Sequence, residues 1–200
     1  TPHALTRRHV PPALFSAGDY LVSRERIDRE KLLSNLVASG YNSVSTVEDP
    51  GTFSVRGGII DIYSPHLPRP VRVDLFGDEI ESLRTFDPAT QRTVEELEDA
   101  TILPARELVF TPAVTKHALA KIEAMAEEVN LPSKKLRAIQ DDLGSKIHFF
   151  GIEALLPIFH PDGLVSLDAY LPKGKDVVLV LGEREPLEEK LGQLLDEAKA

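Results

Sequence analysis

The chain of 200 residues carries 23 Lys and Arg against 32 Asp and Glu, a net charge of −9, and no cysteine. Its apolar content suffices for the core of one large domain or two small ones, and the missing cysteines exclude disulfides and thiolate metal sites and fit a cytoplasmic protein. The acidic balance weighs against nucleic acid as the main ligand, since phosphate contacts need a basic surface, and no apolar run reaches membrane-spanning length.

Residues 1–18, with Pro2 and the tandem Pro11-Pro12, read as a linker or the tail of a preceding subdomain. The start, Thr1-Pro2-His3-Ala4, has neither an initiator Met nor signal-peptide order, and predicts a piece of a longer chain. Tyr20 to Val22 predicts a short strand. A helix follows: Asp28 is its cap, Ile27 and Leu32 have staple spacing, Leu32, Leu33, Leu36 and Val37 form its apolar stripe, and Gly40 closes it.

Val44 to Val47 is expected as a strand, ended by the turn Glu48-Asp49-Pro50-Gly51. Phe53 and Val55 then point to one face, and Ile60 and Ile62 resume on shifted parity, so Gly57-Gly58 predicts a bulge or a sharp bend. Val71 to Phe76 and Ile80 to Phe86 predict a hairpin across Gly77-Asp78-Glu79, and Ala100 to Leu103 a last strand. Period-2 reading puts Val71, Val73 and Leu75 on one face of the hairpin and Arg72, Asp74 and Phe76 on the other. A phenylalanine on a charged face is either covered by another part of the fold or open to a partner.

Beyond residue 104 the character changes. Thr111-Pro112 starts a helix with the stripe Val114, Ala118, Leu119, Ile122, Met125, Ala126 and Val129, which Leu131-Pro132 breaks. A shorter helix carries Leu136, Ile139 and Leu143 before Gly144, and residues 150–172 read as irregular. Val177 to Leu181, apolar on both faces, predicts a central parallel strand whose neighbours lie in sequence outside this chain. A final helix is expected from Pro186.

Catalytic and cofactor patterns give little. Gly144-Ser145-Lys146 and Gly174-Lys175-Asp176 lack the upstream glycine and following hydroxyl of a phosphate loop, the six histidines have no metal-ligand spacing, and no nucleophile elbow is present. Neither a cofactor nor a metal is expected.

The stretch Gly51 to Thr93, together with Leu103-Pro104-Ala105-Arg106-Glu107, Gly151 to Pro157 and Tyr170-Leu171-Pro172, closely resembles the UvrB-homology region of bacterial transcription-repair coupling factors, the Mfd family. The resemblance implies an α+β fold. Residues 19–104 would be a UvrA-binding domain, similar to domain 2 of UvrB, with a curved antiparallel sheet and one helix. Residues 105–200 would be the helix-rich remainder of a degenerate P-loop-like α/β domain, similar to UvrB domain 1, holding the orphan parallel strand. By the same resemblance the UvrA-facing residues are Arg56, Arg72 and Phe76, expected to converge on one patch, whereas Ser54 stands near where UvrB has a further arginine. Packing of Phe76 under the Gly77 turn, with Arg72 paired to Asp74 or Asp61, is the structural alternative.

The function implied is recruitment of UvrA to stalled transcription complexes for nucleotide excision repair. The alternative is a UvrB-like nucleotide-dependent repair helicase, against which Gly182 stands where the metal-binding aspartate is expected. RNA polymerase and DNA would be engaged through domains outside these residues, and the same face could dock on another domain of the full-length protein.

Overall fold

The computed structural model describes residues 7–149, 151–160, 162–174, 176–178 and 184–197. They fall into two units, Ala13–Pro161 and the pair of segments Thr1–Pro12 and Asp162–Ala200. The fold is α+β. No helix among the described residues is long and apolar enough to cross a membrane.

In the larger unit, strand β1 (Asp19–Val22) leads to helix α1 (Arg29–Ala38). The Asp28 side chain accepts from the Lys31 amide, as a cap should, and Gly40 takes the left-handed φ of 85° that ends the helix. Leu32 and Leu36 are the buried stripe. Six strands then form one sheet in sequential order: β2 (Asn42–Ser43), β3 (Thr52–Arg56), β4 (Ile59–Tyr63), β5 (Val71–Phe76), β6 (Glu79–Phe86) and β7 (Thr93–Leu97). Strand β8 (Asp99–Ile102) leaves that sheet and pairs antiparallel with β1.

Several details differ from the sequence expectation. The strand expected at Val44–Val47 sits two residues earlier, as β2, and runs parallel to β3, because the Asn42 amide donates to Gly51 O and the Val44 amide to Phe53 O. Gly57-Gly58 is a chain reversal, pairing Arg56 with Ile59, and this reversal produces the parity shift. The register irregularities lie instead at Asp74/Leu75 and Thr85/Phe86. Thr93–Leu97 is an additional strand, and the strand expected at Ala100–Leu103 begins one residue earlier.

Register explains why one sheet face is apolar. Phe53, Ile62 and Val71 align across three strands, as do Val55, Ile60, Val73 and Leu83 in the next row. These side chains, Val55 apart, are buried in one cluster with Leu32 and Leu36 of α1 and with Leu21, Ala100 and Ile102 of the β1–β8 pair. Tyr41 closes its edge. Its hydroxyl donates to Leu103 O, lies 2.8 Å from Ser64 Oγ, and is pushed up to about 12 by burial.

The chain then builds a second apolar centre. Thr111 caps α2 (Pro112–Glu128), accepting from the Val114 amide, and α3 (Ser133–Gly144) and a short α4 (Leu156–Phe159) follow. Phe110, Phe159, Ile152 and Leu143 are fully buried there, with the rings of Phe110 and Phe159 edge-on at 6.0 Å.

In the smaller unit His9 and Val165 exchange backbone hydrogen bonds of 2.7 Å, and the Tyr170 hydroxyl donates to Val10 O. Helix α5 (Arg184–Glu197) starts two residues before the expected Pro186. Of the strand expected at 177–181, Val177 and Val178 are exposed and belong to no strand, and the rest lies outside the described residues, as does Gly182.

Candidate protein-docking face

The face of the sheet opposite the apolar cluster is built by the same register. Ser54, Asp61, Arg72, Arg84 and Glu96 form one row across β3 to β7, and Arg56, Ile59, Asp74 and Ser82 form the next. Alternation along each strand therefore delivers five arginine and aspartate partners to neighbouring positions. Asp61 is completely buried between two guanidinium groups. Arg72 grips it with two bonds, Nε to Oδ1 at 2.6 Å and Nη2 to Oδ2 at 2.9 Å, and Arg56 adds Nη2 to Oδ2 at 2.6 Å.

Arg72 is otherwise enclosed. Its side chain is 14% exposed, its guanidinium carbon lies 4.5 Å from the centre of the buried Phe86 ring, and both terminal nitrogens reach Gln91 at 3.4 Å. The hydrogen bond to Asp61 raises it above the ordinary guanidinium range. In the adjoining row Asp74 accepts from Ser82 Oγ at 2.9 Å and from Arg84. From sequence Asp61 is one of two possible partners of Arg72, and Gln91, in the connection between β6 and β7, carries no signal of its own.

Arg56 and Arg72 are thus brought together, on a shared carboxylate. Phe76 stands apart from them. It ends β5 at the hairpin tip, four residues and about 13 Å along the strand from Arg72, and its ring is 80% exposed. It does not pack under the Gly77 turn, and no cation–ring contact links it to either arginine. The Arg72–Asp61 half of the structural alternative is present, and the buried-Phe76 half is absent.

What the face offers is contact chemistry. Two opposite charges are neutralised inside it, one half-exposed guanidinium remains at Arg56, and a large apolar ring projects at the tip. Beside that tip Arg26 pairs with Asp78 at 3.2 Å, both largely exposed, so this pair adds little stability.

Comparison with known proteins finds relatives of the segment that carries this face. Residues 20–108 match the family described as the UvrB interaction domain. The transcription-repair-coupling factor of Myxococcus xanthus is 42% identical over 172 residues, 84% of this chain and 14% of that protein. The protein of the same name from Bacillus subtilis is 39% identical over 125 residues, 62% of this chain and 11% of its own length, and that of Staphylococcus haemolyticus is 40% identical over 119 residues, 60% and 10%. The chain therefore spans only about a tenth to a seventh of the length of these relatives. Residues 20–108 thus match the UvrB interaction domain family, and the chain that carries them is similar to a segment of transcription-repair-coupling factors.

Proposed function

We propose that residues 19–104 are a protein-interaction module that binds UvrA. Through it the chain serves transcription-repair coupling, recruiting UvrA to stalled transcription complexes for nucleotide excision repair. Residues 1–18 are a linker or the tail of a preceding subdomain, and residues 105–200 the remainder of a degenerate UvrB domain 1-like α/β region. The module works by binding rather than catalysis, and RNA polymerase and DNA are engaged by other parts of the longer protein. The family match and the names of the relatives support this reading.

The observation that carries it is Phe76, a phenylalanine 80% exposed at the tip of a hairpin whose neighbouring face holds Arg56 half-open to water. An exposed ring at the tip and a half-open guanidinium elsewhere on the same sheet supply the two kinds of contact found in binding hot spots, a large apolar anchor and a planar charge-assisted donor. Titration calorimetry with purified UvrA tests the reading. Phe76→Ala and Arg56→Ala each weaken binding by about thirtyfold or more, the loss expected of a hot spot, while the melting temperature of Phe76→Ala stays within the scatter of surface substitutions. Wild-type affinity in both variants would overturn it.

A further inference from the structure

We propose that Asp61 and Arg72 form a positioning pair for Arg56, and that Arg56, aimed in this way, receives a carboxylate of the docking partner. This rests on the reading of the face as a docking surface, and it divides the three site residues into two that are touched and one that acts from behind.

The division follows from counting donors. A guanidinium has five N–H groups. In Arg72, Nε and one Nη2 hydrogen go to Asp61, and Gln91 takes one hydrogen from each terminal nitrogen. Gln91 is itself tied down. It sits at a positive φ of 60°, and its Nε2 donates to Val47 O at 3.0 Å and Pro88 O at 2.7 Å. With Phe86 beneath it, Arg72 has one orientation and almost no surface left for a partner.

Arg56 is the reverse case. It is held at a single corner, Nη2 to Asp61 Oδ2, and its Nε and Nη1 have no partner among the described residues. The remaining hydrogen of Nη2, together with that of Nη1 or Nε on the same edge, can take a carboxylate with two parallel bonds. The cluster of Arg56, Arg72 and Asp61 carries one net positive charge, and the only guanidinium of the three groups substantially in water is that of Arg56. An arginine fixed before the encounter also loses less side-chain freedom on binding than one that waves on the surface. Arg72 fixes Asp61, Asp61 fixes Arg56, and Arg56 meets the partner.

The test is a set of UvrA titrations on the full chain, with thermal melts run beside them. Asp61→Asn should weaken binding roughly tenfold in the native background, yet by less than about twofold when Arg56 is already alanine, since two residues acting through one contact are not additive. Arg56→Lys keeps the charge and loses the fork, and should forfeit nearly all that Arg56→Ala forfeits. Equal losses from Asp61→Asn in both backgrounds, or native affinity in Arg56→Lys, would overturn the proposal. If the melts show Asp61→Asn unfolded, the Arg56→Lys comparison decides alone. Native binding by both Phe76→Ala and Arg56→Ala would refute the docking reading itself. Loss of binding in those two variants with native affinity in Arg56→Lys refutes only the positioning role.

Discussion

The guanidinium of Arg72 is committed to Asp61 inside the sheet, so charge reversal there strikes the fold before it strikes a partner. Arg72→Glu would set a second carboxylate against a fully buried one and remove both of its paired bonds. Leaving one member of a buried pair uncompensated costs about 3–5 kcal/mol. We expect urea denaturation to show a loss of that order for Arg72→Glu and a change within about 0.5 kcal/mol for Phe76→Ala. A native midpoint for Arg72→Glu would mean that the clamp contributes nothing. Part of this site was legible beforehand. Period-2 alternation placed Arg72 and Phe76 on the charged face, and Asp61 stood beside Asp74 as a possible partner of Arg72. The convergence on Asp61 was not legible, because cross-strand pairing depends on two turn geometries, at Gly57-Gly58 and between Tyr63 and Val71, that no periodicity encodes.

At the level of elements, the two glycines of the β3–β4 turn do different work. Gly57 has a φ of 60°, and a Cβ there would meet nothing within 4 Å. A Cβ on Gly58 would stand 2.7 Å from Leu75 O, a backbone atom of β5, where the Leu75 amide also donates to Gly58 O. Conformation constrains the first position, and close approach of two strands constrains the second. Gly57→Asn should therefore be nearly silent, as asparagine tolerates the left-handed region, whereas Gly58→Ala should cost about 1–3 kcal/mol by forcing β4 and β5 apart. Denaturant midpoints for the two variants check this, and equal midpoints would sink it. The same turn shows where reading elements from sequence fails. The caps of α1 and α2 were visible because a cap is local chemistry, Asp28 and Thr111 bonding amides three residues on. β7 was hidden, since Glu95 and Glu96 face solvent on an edge strand and leave no apolar alternation to detect.

Across the whole molecule, three histidines share one electrostatic circumstance. Burial lowers His148, to about 4, and lowers His66 and His160 below the ordinary imidazole value of 6.5. Both ring nitrogens of His148 are buried without a hydrogen-bond partner, and its ring lies edge-on to Phe110 at 4.8 Å. Desolvation is the main cause, with the positive charge of Arg106 adding to it. Nothing in the sequence marks these residues, for a histidine becomes apolar in behaviour only when packing has enclosed it. The sign follows from linkage. The unfolded chain binds protons first as pH falls through 6.5, so the stability from keeping these rings neutral is fully present above 6.5 and is lost progressively towards the folded value near 4. At pH 5.5 the His148 contribution, discounted for its partial exposure, is about 1 kcal/mol, or roughly 3 °C in melting temperature. Carboxylates titrate mostly below that pH, so a comparison of melts at pH 7.5 and 5.5 isolates the imidazoles. We expect a lower Tm at pH 5.5 and a smaller difference in His148→Phe, which fills the same aromatic site without a titrating group. A Tm unchanged or raised at pH 5.5 would show that these rings remain hydrated enough to protonate in the folded chain.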